Sequence, residues 1–157
     1  MLCLALVLIL ASCTKEPDSS SSGSTEPEVS SAPRPVNVAV SFEKPDGAFS
    51  EYGGYTVENE YAVPVFFSTE TGAKDFAILS LSDAQIDDDG HLRYDTITQV
   101  YSVSELGKMQ YVQADIVFMG TIPNNGFCYT DSDGTLKMFT VETSGYDGSL
   151  FISELEE

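Results

Sequence analysis

Alternating apolar and polar residues recur in short segments of the chain, and this period of two constrains the fold more than any other feature. In VNVAVSFE, residues 36–43, the side chains of Val36, Val38, Val40 and Phe42 share one face. Successive side chains of a β-strand point to opposite faces, so the segment is predicted to be a half-buried strand. Further strand candidates are residues 55–58, 62–68, 76–82, 97–103, 109–119, 126–130, 136–141 and 150–153.

Asp-Gly pairs separate several of these segments, and Asp-Gly suits the tight turns that close β-hairpins. They stand in Pro45-Asp46-Gly47, Asp88-Asp89-Gly90, Ser132-Asp133-Gly134 and Tyr146-Asp147-Gly148. Pro64 cannot donate a hydrogen bond to a neighbouring strand, so its segment is expected at a sheet edge or a bulge. The predicted fold class is therefore all-β: an antiparallel β-sandwich of about eight short strands with little helix.

The chain begins with an apolar run from Leu2 to Ala11. About ten apolar residues are half of the ~20 that a membrane-spanning helix needs, and they fit the hydrophobic region of a signal peptide. The tetrad Leu10-Ala11-Ser12-Cys13 resembles the lipobox of bacterial lipoproteins, in which the Cys thiol receives diacylglycerol before cleavage. This resemblance implies a signal peptide over residues 1–12 and lipidation at Cys13. The alternative is an ordinary secretory signal or a buried strand, with Cys13 incidental.

The next segment, residues 13–35, consists largely of Ser, Pro, Glu and Gly. It has too few apolar residues to bury a face, so it is predicted to be a disordered tether. Residues 36–157 then form one predicted β-sandwich domain. We expect the protein to be held at the bacterial outer membrane by lipid on Cys13, exposed at the cell surface.

The charge balance excludes one class of partner. The 25 acidic and 7 basic residues give a formal net charge of −18 at pH 7. A field of this sign repels phosphate backbones, so no nucleic-acid partner is expected.

Residue types that support catalysis are sparse. His91 is the only histidine and directly follows an acidic turn, so a nucleophile–histidine pair is not expected. Cys128 is the one thiol that remains once Cys3 leaves with the signal and Cys13 is lipidated. It is expected to be a small buried hydrophobe rather than a reactive thiol, because no cationic residue stands near it in sequence. We therefore expect no enzyme, no catalytic residue, no metal and no cofactor.

Some ligand chemistries stay open at this stage. The acidic turns around Gly90 and Gly134 could supply oxygen ligands to calcium, but Thr96 and Thr140 stand where a twelve-residue calcium loop needs a bidentate Glu. Hairpin turns are the preferred interpretation. A glycosidase would need two facing carboxylates, and 25 acidic residues do not single out a pair.

The segment AVPVFFSTETG, residues 62–72, contains an apolar strand ending in Phe66-Phe67 and then the turn Glu70-Thr71-Gly72. This pattern resembles the N-terminal region of fimbrillin-type subunits and related cell-surface lipoproteins, and residues 114–123 are similar to their later core strand. The resemblance implies a lipidated precursor with β-sandwich domains, in which a strand from one subunit completes the sheet of the next by edge pairing.

The expected function is that of a non-enzymatic, membrane-anchored surface lipoprotein in adhesion or pilus-associated assembly, with protein partners bound by strand addition. The alternative is capture of a glycan or peptide for nutrient uptake, because the eight tyrosines offer flat apolar area with a polar tip. Tyrosine is also an ordinary strand residue. Exposed tyrosines clustered on a concave face would favour capture, and an unpaired apolar edge strand would favour assembly.

Overall fold

A computed structural model describes residues 36–155, which form β-strands and no helix. The strands are β1 (Ala39–Ser41), β2 (Ser50–Tyr55), β3 (Val63–Thr69), β4 (Ala73–Ile86), β5 (Leu92–Leu106), β6 (Gln110–Ile116), β7 (Asn125–Thr130), β8 (Leu136–Thr143) and β9 (Leu150–Glu154). The predicted all-β class is confirmed. The predicted signal peptide 1–12, the lipidation site Cys13 and the tether 13–35 lie outside the described residues.

The strands make two sheets that form a sandwich. The four-stranded sheet has the order β1-β3-β6-β2, and the five-stranded sheet has the order β5-β4-β7-β8-β9. All described strand pairs are antiparallel except β2 with β6, which is parallel. None of the described residues belongs to a helix that is long and apolar enough to cross a membrane.

The main core lies between the two sheets, because alternate residues of each strand face inward. Its buried members are Val38, Val65, Phe67, Ala73, Phe76, Ile78, Leu106, Val112, Ala114, Ile116, Phe127, Tyr129, Phe139 and Val141. The five aromatic rings of this set pack with neighbouring ring centroids 5.0 to 6.4 Å apart. That spacing is the usual one for favourable aromatic pairs.

A second, smaller apolar cluster covers the outer face of the five-stranded sheet. It consists of Ala77, Leu79, Leu81 and Cys128, with Tyr94, Met138 and Leu155 packed against them. β4 therefore contributes to both clusters, since Phe76 and Ile78 belong to the main core while Ala77, Leu79 and Leu81 belong to the outer cluster. Such a strand reads as a nearly continuous apolar run instead of a clean alternation.

The Asp-Gly turns close hairpins in three places. The turns ending at Gly90, Gly134 and Gly148 join β4 to β5, β7 to β8, and β8 to β9. The prediction was wrong for Pro45-Asp46-Gly47, which lies between β1 and β2. Those two strands do not pair, because β1 pairs with β3 and β2 with β6, so the chain crosses from one edge of the sheet to the other.

The predicted strand over residues 55–58 is also wrong, because β2 covers Ser50–Tyr55 and shares only its last residue with that segment. A Cβ atom on Gly54 would lie 3.1 Å from the carbonyl oxygen of Gln113 in β6. Glycine permits this close approach because it has no side chain. For the same reason, the glycines of β2 do not contribute to an alternating pattern of side chains, and the strand cannot be recognised from that pattern.

Pro64 lies in β3, which is an inner strand of its sheet. β1 pairs only with residues Phe66 to Ser68 of β3. Pro64 therefore has a neighbouring strand on the β6 side alone, and the sheet has a local edge where the proline stands, as its missing N–H predicts.

Candidate functional site

The open backbone edges of β1 and β9 border the same side of the sandwich. β1 pairs only with β3, and β9 pairs only with β8. Each strand therefore has one edge whose backbone groups no described strand pairs. A cleft of about 330 Å³ lies between the two strands, and every residue that lines it is apolar. These residues, here called the edge cleft, are Val36, Val38, Ala39, Val40, Leu150, Phe151 and Ile152.

The sequence of β9 explains why this edge is apolar. The strand follows the Asp147-Gly148 turn, and alternation points Leu150 and Ile152 at the main core while Phe151 lies on the opposite face, 43% exposed. Natural proteins protect edge strands with Lys, Pro or bulges. None of the three residues Leu150 to Ile152 provides that protection, so this edge is suited to pair with an added strand.

The other two edge strands are less suited to strand addition. β2 contains Gly53 and Gly54, and glycines weaken a strand because they have no side chain to pack. β5 is long, but its register against β4 shifts between Ile78 and Leu79, which leaves Val100 as a bulge. Bulges twist an edge strand and interrupt its pairing, which is a recognised means of blocking edges.

A second concave surface lies beside the loop that joins β6 to β7, residues 117–124. Two adjoining clefts of about 580 and 500 Å³ share the lining residues Thr121, Pro123 and Glu142. We refer to both together as the loop groove. Four large apolar side chains are exposed in its wall: Met119, Ile122, Tyr146 and Phe151.

Hydrogen bonds hold the loop that forms one wall of this groove. The Tyr94 phenol of β5 donates to the carbonyl oxygen of Pro123 at 2.7 Å. The backbone N–H of Leu81 in β4 donates to the carbonyl oxygen of Asn124 at 2.9 Å. The Asn125 amide donates to the carbonyl oxygen of Val117 at 3.0 Å. The loop is therefore attached both to the sheet and to its own beginning.

Glu142 of β8 lies at the junction of the two clefts, half-buried. Its carboxylate accepts a hydrogen bond from the Thr140 hydroxyl at 2.8 Å. No cationic side chain among residues 36–155 forms an ion pair with it. Burial, followed by the negative charge of Glu142, raises the pKa of Tyr94 to about 12. The groove thus contains a carboxylate that the described part of the chain does not neutralise.

The residues considered for catalysis do not come together. His91 is exposed, with Nδ1 3.9 Å from the Asp87 carboxylate. Cys128 is 4% exposed in the outer cluster, as predicted, and burial raises the pKa of its thiol. In the part of the chain that the structure covers, no group of three His, Cys, Asp or Glu side chains could hold a metal ion.

The carboxylates of the acidic turns bond to the turns themselves. Asp87 accepts hydrogen bonds from the backbone N–H groups of Asp89 and His91 and from Arg93 Nε. In the turn at Gly134, the Asp131 carboxylate accepts a hydrogen bond from the backbone N–H of Ser132, and the Asp133 carboxylate accepts one from the backbone N–H of Thr135. These bonds are typical of hairpin turns, in agreement with the interpretation that the sequence favours.

The tyrosines do not gather on one face. Tyr111 and Tyr129 are buried. Tyr52, Tyr61 and Tyr146 are exposed, but they lie in β2, in the connection from β2 to β3, and in the turn from β8 to β9. Sequence reasoning instead missed Met119 and Ile122, which lie in a loop without periodicity. The prediction of a strand over 109–119 assigned Met119 to β6, which ends at Ile116.

The comparisons with known proteins gave no match to a family model, a curated protein or a solved structure. The resemblance to fimbrillin-type subunits therefore stays a prediction, as do the lipid anchor and the location.

Proposed function

We propose that this protein is a non-enzymatic, membrane-anchored surface lipoprotein that acts in adhesion or pilus-associated assembly and binds protein partners by strand addition. The observation that carries the proposal is the edge cleft, where two edge strands with unpaired backbone groups border a space lined only by apolar residues. Strand addition uses both the unpaired backbone groups and the apolar lining of the edge cleft.

A strand that enters the edge cleft would gain two kinds of contact. Its backbone would hydrogen-bond along the free edge of β9 or β1, which supplies affinity without regard to sequence. Its alternate side chains would point toward Val38, Leu150 and Ile152, which supplies selectivity for apolar residues at every second position. The preferred partner is thus a segment with the same period-two pattern that this chain itself has in VNVAVSFE.

The predicted anchor is compatible with this role. A flexible coil of the length of the tether spans roughly 25 Å, enough to hold a domain away from a membrane surface. The tether joins the described part of the chain at Val36, which lines the edge cleft. A net charge of −18 keeps such a surface protein soluble and repels nucleic acid.

The alternative, capture of a glycan or peptide by tyrosines on one sheet face, has less support because the exposed tyrosines are dispersed over the molecule. The loop groove depends on other residues than these tyrosines, apart from Tyr146.

Anchoring is tested by intact mass and by protease accessibility on cells that express the full chain or its Cys13→Ala variant. We expect a wild-type product that starts at Cys13, carries lipid and is shaved from intact cells, and a variant that is not lipidated. An unlipidated soluble wild-type product that the substitution leaves unchanged would contradict the anchor.

Strand addition is tested by photo-crosslinking on the same cells, with a photoreactive amino acid at Val36 or at Val63. These valines are 37% and 38% exposed, but only Val36 lines the edge cleft. We expect crosslinked species of higher mass from position 36 and none from position 63. Equal crosslinking at both positions, or none at position 36, would exclude the edge cleft as the site of assembly.

A further inference from the structure

We propose that the loop groove is a second binding site, next to the edge cleft with which it shares Phe151, and that it takes an extended peptide segment that presents a Lys or Arg next to apolar side chains. The observations that support it are the exposed apolar wall of the groove and the carboxylate of Glu142 at the junction of its two clefts.

The apolar side chains in the wall of the loop groove are largely exposed to solvent. Met119 is 64% exposed and Tyr146 is 98% exposed, and both line the same cleft as Ile122 and Phe151. Single exposed apolar residues are common, whereas a group of them in one concavity marks a binding site. The thioether of Met119 adapts to differently shaped side chains, and the two rings supply large flat contact areas.

Charge complementarity indicates the cationic part of the ligand. Glu142 and Phe151 are direct partners across β8 and β9, so a Lys or Arg that reaches the carboxylate would lay its aliphatic stem along the Phe151 ring. Ion pairs of this kind are charge-assisted hydrogen bonds, stronger than neutral ones. Glu154, which also lines the groove, already pairs with Lys137 at 2.5 Å, so Glu142 is the carboxylate that remains for the ligand.

The groove fits a peptide better than a sugar. A glycan needs many hydrogen-bonding partners, but Met119 and Ile122 offer none. The carbonyl oxygens of Val117, Pro123 and Asn124 already accept hydrogen bonds from other parts of the molecule. Polar side chains such as Thr121, Thr143 and Ser144 also line the groove, but its large exposed side chains are apolar and the Glu142 carboxylate has no cationic partner among residues 36–155, which matches a short segment of mixed apolar and basic residues.

The partner is a different protein rather than a second copy of this chain. Two copies would each carry a net charge of −18, and juxtaposed like charges oppose association. A basic segment would instead be attracted by that field, with faster association at low salt.

The test uses methyl groups as reporters. The full chain is labelled with ¹³C-methyl methionine and titrated with the acetylated, amidated peptide Ser-Leu-Lys-Phe-Leu-Ser, and separately with the same peptide carrying Glu in place of Lys. We expect a saturable shift of the Met119 methyl signal with the Lys peptide and no shift of Met109, which lies outside the groove. The affinity of the Glu peptide should be lower by a factor of about ten or more.

Two pairs of variants separate the charge from the apolar wall. Glu142→Gln retains an acceptor for Thr140 but removes the charge, and it should lower the affinity for the Lys peptide about tenfold. The control is Glu60→Gln, which makes the same charge change at an exposed position elsewhere and should leave that affinity unchanged. Ile122→Ser should weaken both peptides, whereas Ile86→Ser, also an exposed isoleucine, should not.

Each outcome decides the proposal. A Met119 signal that does not shift up to about 1 mM Lys peptide would overturn the site. Equal affinity for the two peptides, or an affinity that Glu142→Gln does not change, would overturn the choice of a basic ligand. Crosslinking at Val36 is independent of these titrations. The titrations therefore test this proposal alone, and the crosslinking tests strand addition alone.

Discussion

The phenol of Tyr94 donates a 2.7 Å hydrogen bond to the carbonyl oxygen of Pro123, 29 positions further along the chain. This bond fastens the loop between β6 and β7 to the edge strand β5. Tyr94 also packs against the outer apolar cluster, so its ring and its hydroxyl have separate roles. The hydroxyl determines where one wall of the loop groove lies.

Replacing Tyr94 with Phe should keep the ring packing and release the loop. We expect a loss of about 1 kcal/mol in the free energy of unfolding, the typical net value of one hydrogen bond. Amide exchange of Leu81 should also accelerate, because its N–H donates to Asn124 in the same loop. Urea denaturation and hydrogen exchange measure these effects. Tyr61→Phe, at a 70% exposed tyrosine, is the control, and an equal effect there would contradict the role of the bond.

Asn37 connects the segment before β1 to the end of β7. Its backbone N–H donates to the Tyr129 hydroxyl at 3.1 Å, and its side-chain amide donates to the Asp131 carboxylate at 2.8 Å. Tyr129→Phe leaves the backbone N–H without that acceptor, which should cost about 1 to 3 kcal/mol. Exchange of the β1 amides that pair with β3 should accelerate as well, since β1 directly follows this contact.

Chemical denaturation of Tyr129→Phe measures the change in stability, with Tyr146→Phe as the control. Tyr146 is almost fully exposed, so loss of its hydroxyl should leave both the unfolding midpoint and the exchange of β1 unchanged. A Tyr129→Phe variant as stable as the wild type would show that water replaces the phenol without cost.

The stability that Asp87 contributes to the hairpin between β4 and β5 should depend on pH. The hydrogen bond from Arg93, followed by the backbone N–H of His91, lowers the pKa of Asp87 from 3.8 to about 2. A carboxyl whose pKa is lower in the folded state stabilises that state above its unfolded pKa. This contribution should be complete above about pH 4 and disappear as the pH falls toward about 2.

Carboxyl NMR titration tests this expectation. The Asp87 signal should titrate near pH 2, and Arg93→Gln should raise its pKa toward the ordinary value because the largest cause of the shift is removed. Hydrogen bonds from Ser149 lower the pKa of Asp147, which does not involve Arg93 and should be unaffected. An Asp87 pKa that is the same in the wild type and the Arg93→Gln variant would contradict the assignment.

The alternation of apolar and polar residues, together with the Asp-Gly turns, was sufficient to predict most of the fold. Strands β3, β4 and β5 overlap their predicted segments, although the β4–β5 hairpin is longer than expected. The excess has a physical reason: its polar outer residues, such as Thr96 and Asp95, carry no burial signal but bond to Asp83 and Gln85 across the ladder. Side-chain periodicity detects the buried part of a strand and not its exposed extension.

The pairing between distant strands could not be predicted from local patterns. The parallel pair of β2 and β6 joins Ser50 to Gln110, and no property of either segment alone indicates it. The loop groove was missed for a related reason, since Met119 and Glu142 come to line one cleft only when the β6–β7 loop folds over the sheet. The edge cleft was partly foreseeable, because the apolar run Leu150 to Ile152 is visible in the sequence.

The close contact at Gly126 gives the last prediction. Gly126 begins the buried part of β7, and a Cβ atom there would overlap the carbonyl oxygen of Phe139 in β8 and lie 3.2 Å from a methyl group of Leu81. Backbone cannot move aside as a flexible side chain can, so Gly126→Ala should force β7 and β8 apart and cost about 1 to 3 kcal/mol of stability. Thermal or urea denaturation measures the loss. Gly145→Ala is the matched control, because nothing lies within 4 Å of its Cβ position. A Gly126→Ala protein as stable as the Gly145→Ala protein would show that the β7–β8 contact is loose enough to accommodate a methyl group.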